Sequence, residues 1–338
     1  MFKKELLDEY VKEGWLRVQK HPGEDLFIYN YTSKTQYERN WNDVTISCRG
    51  LILNQAGDVV AKPFNKFFNL SEIPKEEVPN EAFEVFEKMD GSLGILYWVN
   101  EKPFIASRGS FTSEQAVKAS ALLHTKYKNA IPLLEKGVTY IFEIIYPENR
   151  IVVDYGDAET LVLIGAIEIE TGTELPLKEM GFPLVERIEA DDFNKLQALD
   201  LKNKEGFVIR FKSGYRLKVK FDEYQRVHRI ITQVSNLTLW ECLRENTSLE
   251  EIIDRVPDEF YDWVKAVIKE LKTDFKKIER IAKSEYKVLA TRKESAVYFE
   301  TCTYPKIMFN MLNEKKYDDV IWRMIRPDFQ KPFDSNEN

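Results

Sequence analysis

Glu87-Lys88-Met89-Asp90-Gly91-Ser92 is an island of polar residues in an apolar part of the chain. The apolar residues before it (Val85 and Phe86) and after it (residues 93–98) favour a strand on each side. Asp90-Gly91 is a turn dipeptide, so the stretch predicts a hairpin with Lys88 beside its turn. A neutral lysine amine in such a place is a candidate nucleophile for phosphorus or a carbonyl carbon. The alternative is a structural hairpin with a solvated lysine, and this stretch alone favours that alternative.

The composition is that of an acidic globular protein. The chain has 338 residues, of which 43% are hydrophobic, enough for one large domain and a smaller one. Its formal net charge of −7 argues against a protein that coats nucleic acid, although a local basic cleft is compatible with it. Three cysteines with neither disulfide nor zinc spacing favour a reducing compartment. We see no signal peptide and no apolar stretch long enough to span a membrane.

The chain changes character near residue 236. Before it, helical spacing covers residues 1–14 and 113–128, and residues 32–47 are polar and loop-like. Strands are predicted at 26–31, 51–53, 59–61, 104–107, 140–146, 151–155, 161–170, 204–210 and 215–221, with partial helix over 175–200. After it, a capping-box pattern at 248–251 and helical spacing at 260–281, 294–301 and 305–325 indicate helices. We therefore predict two domains, residues 1–235 and 236–338.

Charged residues recur within the predicted strands. Glu143 lies in an apolar strand, where a carboxylate is costly unless a cation, a metal or a hydrogen-bond donor meets it. Arg216, Lys218 and Lys220 share one face of another strand, and hairpin pairing would bring them near Glu205. Three such cations are either solvated or line an anion site. The cations and aromatic rings of residues 62–69 either hold a nucleotide or form aromatic core with lysines reaching out to solvent.

The order and spacing of these polar motifs resemble the covalent nucleotidyltransferases, which are ATP-dependent ligases and capping enzymes. Within that superfamily the chain resembles the phage RNA ligase 1 family, typified by the T-even phage enzyme, over most of residues 25–228. The motifs that carry the resemblance are Tyr29-Asn30-Tyr31, Cys48-Arg49-Gly50, Lys66-Phe67-Phe68-Asn69-Leu70, Lys88-Met89-Asp90-Gly91-Ser92-Leu93, Gly109-Ser110 with Ser113-Glu114-Gln115-Ala116, Asn149-Arg150-Ile151-Val152, Glu205-Gly206 and Lys218-Val219-Lys220.

The resemblance implies an α+β protein. Its first domain would be an antiparallel-sheet, ATP-grasp-like nucleotidyltransferase (adenylyltransferase) domain, followed by an all-α C-terminal domain that selects RNA. It also implies an ATP-dependent RNA ligase that joins 5′-phosphate and 3′-OH ends of single-stranded RNA in RNA or tRNA repair. Lys88 would become lysyl-AMP, the AMP would pass to the RNA 5′-phosphate, and the 3′-OH would displace it. We expect a monomer in the cytoplasm (the host cytoplasm if phage-encoded) that uses RNA such as nicked tRNA and binds no membrane.

The resemblance assigns roles to individual residues. Lys218 and Lys220 would hold the α-phosphate of ATP, and Arg49 and Lys66 the outer phosphates. Glu143 and Glu205 would meet the ribose and, partly through water, a bound Mg²⁺ or Mn²⁺. The other implied contacts are Tyr29, Phe68 and Glu87 around the nucleotide, Arg108 as a catalytic cation, and Asp258 at a second metal. Arg108 replaces a family lysine, and a planar guanidinium is not equivalent to an ammonium group.

Two rival classes share part of this pattern. A DNA ligase or a GTP-using capping enzyme has the same lysine motif, but both normally carry a β-rich OB domain after the last lysine strand. The residues after Lys220 have helical spacing instead. A catalytically inactive RNA-end binding protein would not need its full set of catalytic residues, yet Lys88, Glu143, Glu205 and the two later lysines are intact.

A further hypothesis concerns the helical domain. Lys276, Arg280, Lys283 and Lys287 recur at helical spacing, which predicts one basic stripe on a continuous helix. The stripe either grips RNA phosphates or is a solvated helix face.

Overall fold

The computed structural model describes residues 3–190, 195–196, 201–222, 224–225, 234–247, 249 and 261–329. The chain divides into two compact units, residues 1–231 and 232–338. All thirteen strands found in the described ranges belong to the first unit, and the described elements of the second are helices. The α+β class with antiparallel sheets and a helical C-terminal region is therefore confirmed.

The first unit is mainly β-structure. Its strands are β1 (Leu16–Lys20), β2 (Leu26–Tyr31), β3 (Arg49–Asn54), β4 (Val59–Ala61), β5 (Phe68–Asn69), β6 (Phe83–Lys88), β7 (Ser92–Val99), β8 (Lys102–Ser107), β9 (Val138–Ile145), β10 (Thr160–Glu168), β11 (Arg187–Ile188), β12 (Gly206–Phe211) and β13 (Arg216–Lys220). Its helices are α1 (Lys4–Lys12), α2 (Ser33–Tyr37), α3 (Asp43–Ser47) and α4 (Glu114–Thr125), with short 3₁₀ turns at Leu70–Glu72, Lys75–Glu77, Ile131–Leu133 and Pro147–Asn149.

These strands form three sheets. Their strand orders are β1-β2-β3-β4, β10-β9-β7-β8 and β11-β6-β12-β13-β5. Neighbouring strands are antiparallel except β13 and β5, which are parallel. The β3–β4 pairing confirms the hairpin predicted from residues 51–61.

The predicted hairpin around Asp90-Gly91 is wrong, although both of its strands exist. β6 pairs with β11 and β12, whereas β7 pairs with β8 and β9, so the turn joins two different sheets. Gly91 passes so close to β9 that a Cβ there would lie 2.6 Å from the carbonyl oxygen of Ile144. Only glycine therefore fits this crossing.

The carboxylate of Asp90 holds this crossing in place. It is 3% exposed and accepts hydrogen bonds from the backbone N–H groups of Val152 and Val153, both at 2.8 Å. It also accepts one from the Tyr224 hydroxyl at 2.8 Å, and the Asp90 N–H donates to the Tyr155 hydroxyl. Residues 151–155, predicted as a strand, form a loop instead, because two of their N–H groups bond to Asp90.

Other differences from the predicted elements have local causes. Residues 32–47, expected as a loop, contain α2 and α3. Asn42 caps α3 by accepting hydrogen bonds from the N–H groups of Val44 and Thr45 at 3.0 and 3.1 Å. Within residues 175–200, expected to be helical in part, residues 187–188 form β11 and residues 195–196 are helical, and residues 191–194 and 197–200 lie outside the described part of the chain.

The sheet β11-β6-β12-β13-β5 has one apolar face. Val85, Phe207, Ile209, Leu217 and Val219 are buried on it. Because side chains alternate along a strand, Lys88, Lys218 and Lys220 lie on the opposite face. The pattern that forms the core thus also sorts the cations to one side.

The second unit is helical in its described ranges. Its helices are α5 (Asn236–Glu245), α6 (Tyr261–Glu285), α7 (Arg292–Glu300), α8 (Pro305–Leu312) and α9 (Asp318–Met324). Helices α6, α8 and α9 pack around the buried residues Ile278, Ala282, Ile307 and Ile321. The single helix expected over 305–325 is two helices, and the capping pattern at 248–251 lies outside the described residues. None of the described helices is long and apolar enough to cross a membrane.

The predicted four-residue basic stripe is wrong as one continuous helix face. Helix α6 ends at Glu285, so Lys287 lies beyond it. Lys283 pairs with Glu279 at 2.6 Å, and Tyr317 donates a hydrogen bond to the same carboxylate. Of the four expected cations, Lys287 thus lies outside the helix and Lys283 is neutralised by Glu279.

Candidate active site

The strand register brings the predicted lysines together. Gly206 opens β12 and lies opposite Lys88 on β6 and opposite Lys220 on β13. Lys218, two residues along β13, lies opposite Val208 on the same face. Residues far apart in the sequence therefore meet at one end of one sheet face.

Glu205 lies between two of these ammonium groups. Its Oε2 is 2.7 Å from Lys88 Nζ and its Oε1 is 3.6 Å from Lys220 Nζ, and the residue is 4% exposed. The next residue, Gly206, has φ +151°, and a Cβ there would lie 1.9 Å from the carbonyl oxygen of Val219. This close approach lets Glu205 reach both lysines. Arg216, the third cation of the strand face, pairs with Glu174 instead.

Glu143 faces this cluster from the other sheet. On β9, its Oε1 accepts a hydrogen bond from the N–H of Gly91 at 3.1 Å. Burial raises the pKa of Glu143 to about 7. The positive charges of Lys88 and Arg49 oppose this rise, and the negative charge of Glu205 adds to it. The four charges are close enough to influence one another, so the candidate site lies between the two sheets.

Two guanidinium groups converge on the hydroxyl of Tyr31. Burial lowers the pKa of Arg49, an effect that Tyr31 opposes and Arg108 strengthens. Arg49 Nη1 is buried and has no hydrogen-bond partner among the described residues. Arg108 Nη1 lies 3.5 Å from the Tyr31 hydroxyl. A buried, unsatisfied N–H of a cation is a fitting donor for a phosphate oxygen.

A β-bulge at Gly50 sets the direction of Arg49. Asn30 pairs with Arg49 and Tyr29 with Leu51, so Gly50 is an extra residue in β3. It has φ +97°, and a Cβ there would lie 2.2 Å from Ile95 Cδ1. A β-bulge changes the direction of the adjacent side chain, which here is that of Arg49. The positive φ and the close contact with Ile95 mean that only glycine fits at position 50.

Lys66 is held by aromatic rings. It is 8% exposed, and its Nζ lies 5.3, 5.5 and 5.7 Å from the ring centres of Trp41, Phe68 and Tyr31. Cation–π attraction stabilises a buried ammonium in such a setting. The structure thus places Lys66 inside the protein and not at the solvent.

Two predicted nucleotide contacts are not brought to this cluster. Tyr29 is fully buried, and its hydroxyl donates a hydrogen bond to Asp8 of α1 at 3.0 Å. Tyr31, on the same strand, is the tyrosine at Arg49 and Arg108. The carboxylate of Glu87 lies on the opposite strand face from Lys88 and pairs with Lys204 at 3.2 Å. Asp258 lies outside the described residues.

The sequence did not point to several supporting residues. Tyr155 and Tyr224 bind Asp90, as described above, and no local pattern marks a tyrosine for such a role. Asn149 accepts a hydrogen bond from Ser92 Oγ at 3.1 Å and donates one to the carbonyl of Ile144 at 3.0 Å. Asn149 belongs to a motif quoted above, so motif membership is the signal that marks it.

The carboxylates fit a weakly chelated metal. Glu143 and Glu205 offer the oxygen ligands that Mg²⁺ prefers. No group of three or more His, Cys, Asp or Glu side chains suited to a metal occurs in the described part of the chain. Mg²⁺ usually binds proteins through one or two carboxylates and keeps several waters, and Glu143 and Glu205 match that number.

Known proteins resemble this chain over half of its length or more. Residues 47–225 match a family described as RNA ligase. A protein of Autographa californica nuclear polyhedrosis virus, assigned as a bifunctional polynucleotide kinase/RNA ligase, is 28% identical over 287 residues, covering 75% of this chain and 40% of that protein. A protein of Thermovibrio ammonificans, assigned as an RNA ligase, is 31% identical over 224 residues, covering 61% and 57%. The chain thus spans about half the length of these two relatives.

One solved structure that this chain resembles is that of Naegleria gruberi RNA ligase with PPi. It is 15% identical, covers 49% of this chain and 57% of that chain, and has a TM-score of 0.41.

Proposed function

The chain belongs to the RNA ligase family, and we propose that it is an ATP-dependent enzyme that joins the 5′-phosphate and 3′-OH ends of single-stranded RNA. Residues 1–235 would form the adenylyltransferase domain, and the helical domain, residues 236–338, would select the RNA. A nicked tRNA is the substrate that fits a repair role, with the protein acting as a monomer in the cytoplasm. RNA ligases among the relatives support the substrate class.

The observation that supports this proposal best is the meeting of Lys88, Lys220 and Glu205. In the first step, Lys88 Nζ forms a bond to the α-phosphorus of ATP, and the bond to pyrophosphate breaks. Lys88 must lose a proton first, and Glu205, whose Oε2 lies 2.7 Å from Lys88 Nζ, would accept it. Lys218 and Lys220 would stabilise the negative charge that develops on the α-phosphate.

The surrounding residues would bind the rest of the nucleotide. Arg49 and Lys66 would hold the outer phosphates, Arg108 would supply a further cation, and Phe68 would pack against the nucleoside. Glu143 would bind the ribose and, with Glu205, the water ligands of Mg²⁺ or Mn²⁺. The metal would neutralise charge on the phosphates.

Two further transfers complete the reaction. An oxygen of the RNA 5′-phosphate attacks the phosphorus of lysyl-AMP, which releases Lys88 and leaves AMP on the RNA. The 3′-OH of the other end then attacks the RNA 5′-phosphorus, and AMP leaves as the phosphodiester forms. Each step replaces one bond to phosphorus by another, so positioning and charge stabilisation carry the catalysis.

Label transfer tests the proposal. The protein is incubated with ATP or GTP labelled at the α-phosphate, and then with defined RNA or DNA ends. Covalent AMP followed by RNA joining is the expected result. Covalent GMP would indicate a capping enzyme, joining of DNA alone a DNA ligase, and no covalent nucleotide an RNA-end binding protein.

A further inference from the structure

A cleft of about 1100 Å³ adjoins the candidate active site within the first unit. It is bounded by residues 62–68 between β4 and β5, residues 82–84 at the start of β6, residues 172–176 after β10, and residues 210–216 around the β12–β13 turn. Pockets for drug-sized molecules measure about 300–1000 Å³. This cleft therefore exceeds the space that one small ligand needs.

The cleft is continuous with the lysine cluster. Arg216 lines it and lies two residues from Lys218 on the same face of β13, roughly 7 Å along the strand. Phe67 also lines it, and the ring of Phe67 lies 5.6 Å from the guanidinium carbon of Arg49. A chain molecule whose end lies at Lys88 can thus extend into the cleft.

The carboxylates of the cleft are already engaged. Glu174 pairs with Arg216 and, at 2.6 Å, with Arg210. Glu84 pairs with Arg210 and, at 2.7 Å, with Arg187. Three arginines are thus paired with two glutamates, so neither carboxylate adds uncompensated negative charge to the cleft.

Two lysines of the lining stand outside this network. Neither Lys62 nor Lys212 has a carboxylate at ion-pair distance in the described part of the chain. Both add positive charge to a cleft in a protein of net charge −7. Tyr215, which is 39% exposed, also lines the cleft, and its ring centre lies 6.1 Å from that of Phe211. Cations beside an exposed ring are the combination that binds single-stranded nucleic acid, by phosphate contact and base stacking.

We propose that this cleft binds the single-stranded RNA segment that leads to the end being joined. Lys62 and Lys212 contact its phosphates, and Tyr215 stacks on a base. The inference rests on the proposed function, because it takes the RNA end to lie at Lys88. It assigns to the part of the cleft lined by Lys62, Lys212 and Tyr215 a role separate from ATP binding, whereas Lys66 and Phe68, which also line the cleft, belong to the proposed nucleotide site.

RNA affinity and lysine adenylylation, measured separately, test the inference. The double variant Lys62→Glu/Lys212→Glu is compared with Lys102→Glu/Lys128→Glu, which has the same net charge and changes two exposed lysines outside the cleft. Binding of a labelled single-stranded RNA oligonucleotide is measured without ATP across a range of salt. Formation of lysyl-AMP is measured without RNA.

We expect the cleft variant to bind the oligonucleotide roughly tenfold or more weakly at low salt, because two phosphate contacts become repulsive. Lys62→Ala/Lys212→Ala should lower the salt slope by roughly 1.4, the value for two phosphates of a single strand. Lysyl-AMP formation should be unchanged in both.

Three outcomes would overturn the inference: unchanged RNA affinity, equal weakening in the Lys102/Lys128 control, or loss of lysyl-AMP formation, which would assign the cleft to the nucleotide. A wild-type protein that forms no lysyl-AMP would refute the proposed function instead, and the RNA-binding comparison would still decide whether the cleft holds RNA.

Discussion

Lys88 Nζ lies 2.7 Å from Glu205 Oε2, so the candidate nucleophile rests in an ion pair. The same carboxylate is 3.6 Å from Lys220 Nζ. An ammonium group paired in this way cannot attack phosphorus until its proton leaves. The ion pair therefore corresponds to the protein before it reacts. An α-phosphate that binds Lys220 would bring negative charge next to Glu205 and so change the charge balance there.

Lys88→Ala should abolish covalent AMP without unfolding the protein, because the side chain lies at the end of a strand and outside the apolar core. Lys88→Arg should also be inactive, since a guanidinium stays protonated. Labelled AMP on the purified protein is the readout, with thermal unfolding as the control for folding. A phosphoramidate-linked AMP on Lys88→Ala would remove Lys88 from its proposed role.

Lys218→Ala and Lys220→Ala should each slow lysyl-AMP formation by more than about tenfold, equivalent to about 1.4 kcal/mol of transition-state stabilisation. Lys204→Ala is the matched control, because Lys204 precedes Glu205 but pairs with Glu87 on the other strand face. Single-turnover rates at saturating ATP give the comparison. Wild-type rates in all three variants would show that neither Lys218 nor Lys220 acts on the α-phosphate.

Asp90→Asn should lower the free energy of unfolding by roughly 2–3 kcal/mol, because the amide cannot accept all three hydrogen bonds that the carboxylate accepts. Tyr224→Phe removes one of them and should cost about 1 kcal/mol. Urea denaturation of both variants tests this order. If Tyr224→Phe were the more damaging change, the backbone bonds of Asp90 would not be what fixes the turn.

The metal-free, nucleotide-free protein should lose stability as pH rises from 4.5 through 7. The pKa of Glu143 is raised by burial from 4.5 to about 7, so the folded state binds its proton more tightly than the unfolded state. That stabilisation is fully present below pH 4.5 and is lost as pH rises through 7. Glu143→Gln cannot ionise, so its unfolding free energy should fall less over this range. Parallel curves for the two proteins would contradict the assignment.

The sequence predicted the residues of the site better than their connections. Alternation along residues 215–221 was enough to place Lys218 and Lys220 on one face, and the pairing of β13 with β12 brings Glu205 to Lys220. The turn at Asp90 was beyond local reasoning, because its carboxylate is bound by residues 62 to 134 positions away. Asp-Gly favours a hairpin locally, and tertiary hydrogen bonds outweigh that preference.

Two further features depend on contacts that the sequence does not show. Tyr29 and Tyr31 share a strand face and are both buried, and the structure adds that the Tyr29 hydroxyl donates a hydrogen bond to Asp8 of α1. The end of α6 is fixed by Glu285, whose carboxylate accepts hydrogen bonds from the N–H and hydroxyl of Thr303 at 2.8 and 2.7 Å. Helical spacing alone extended the basic stripe past that point.

The three residues between Lys88 and Ser92 form a backbone connection of fixed length between two sheets. One sheet carries the lysines and Glu205, the other carries Glu143, and Met89-Asp90-Gly91 is the direct covalent link from one to the other. The distance between the strand that ends at Lys88 and the strand that carries Glu143 is thus set by the length of this backbone segment. Flexible side chains do not set it. Inserting residues into this segment would leave each sheet intact and still increase the distance between the two sheets at the site.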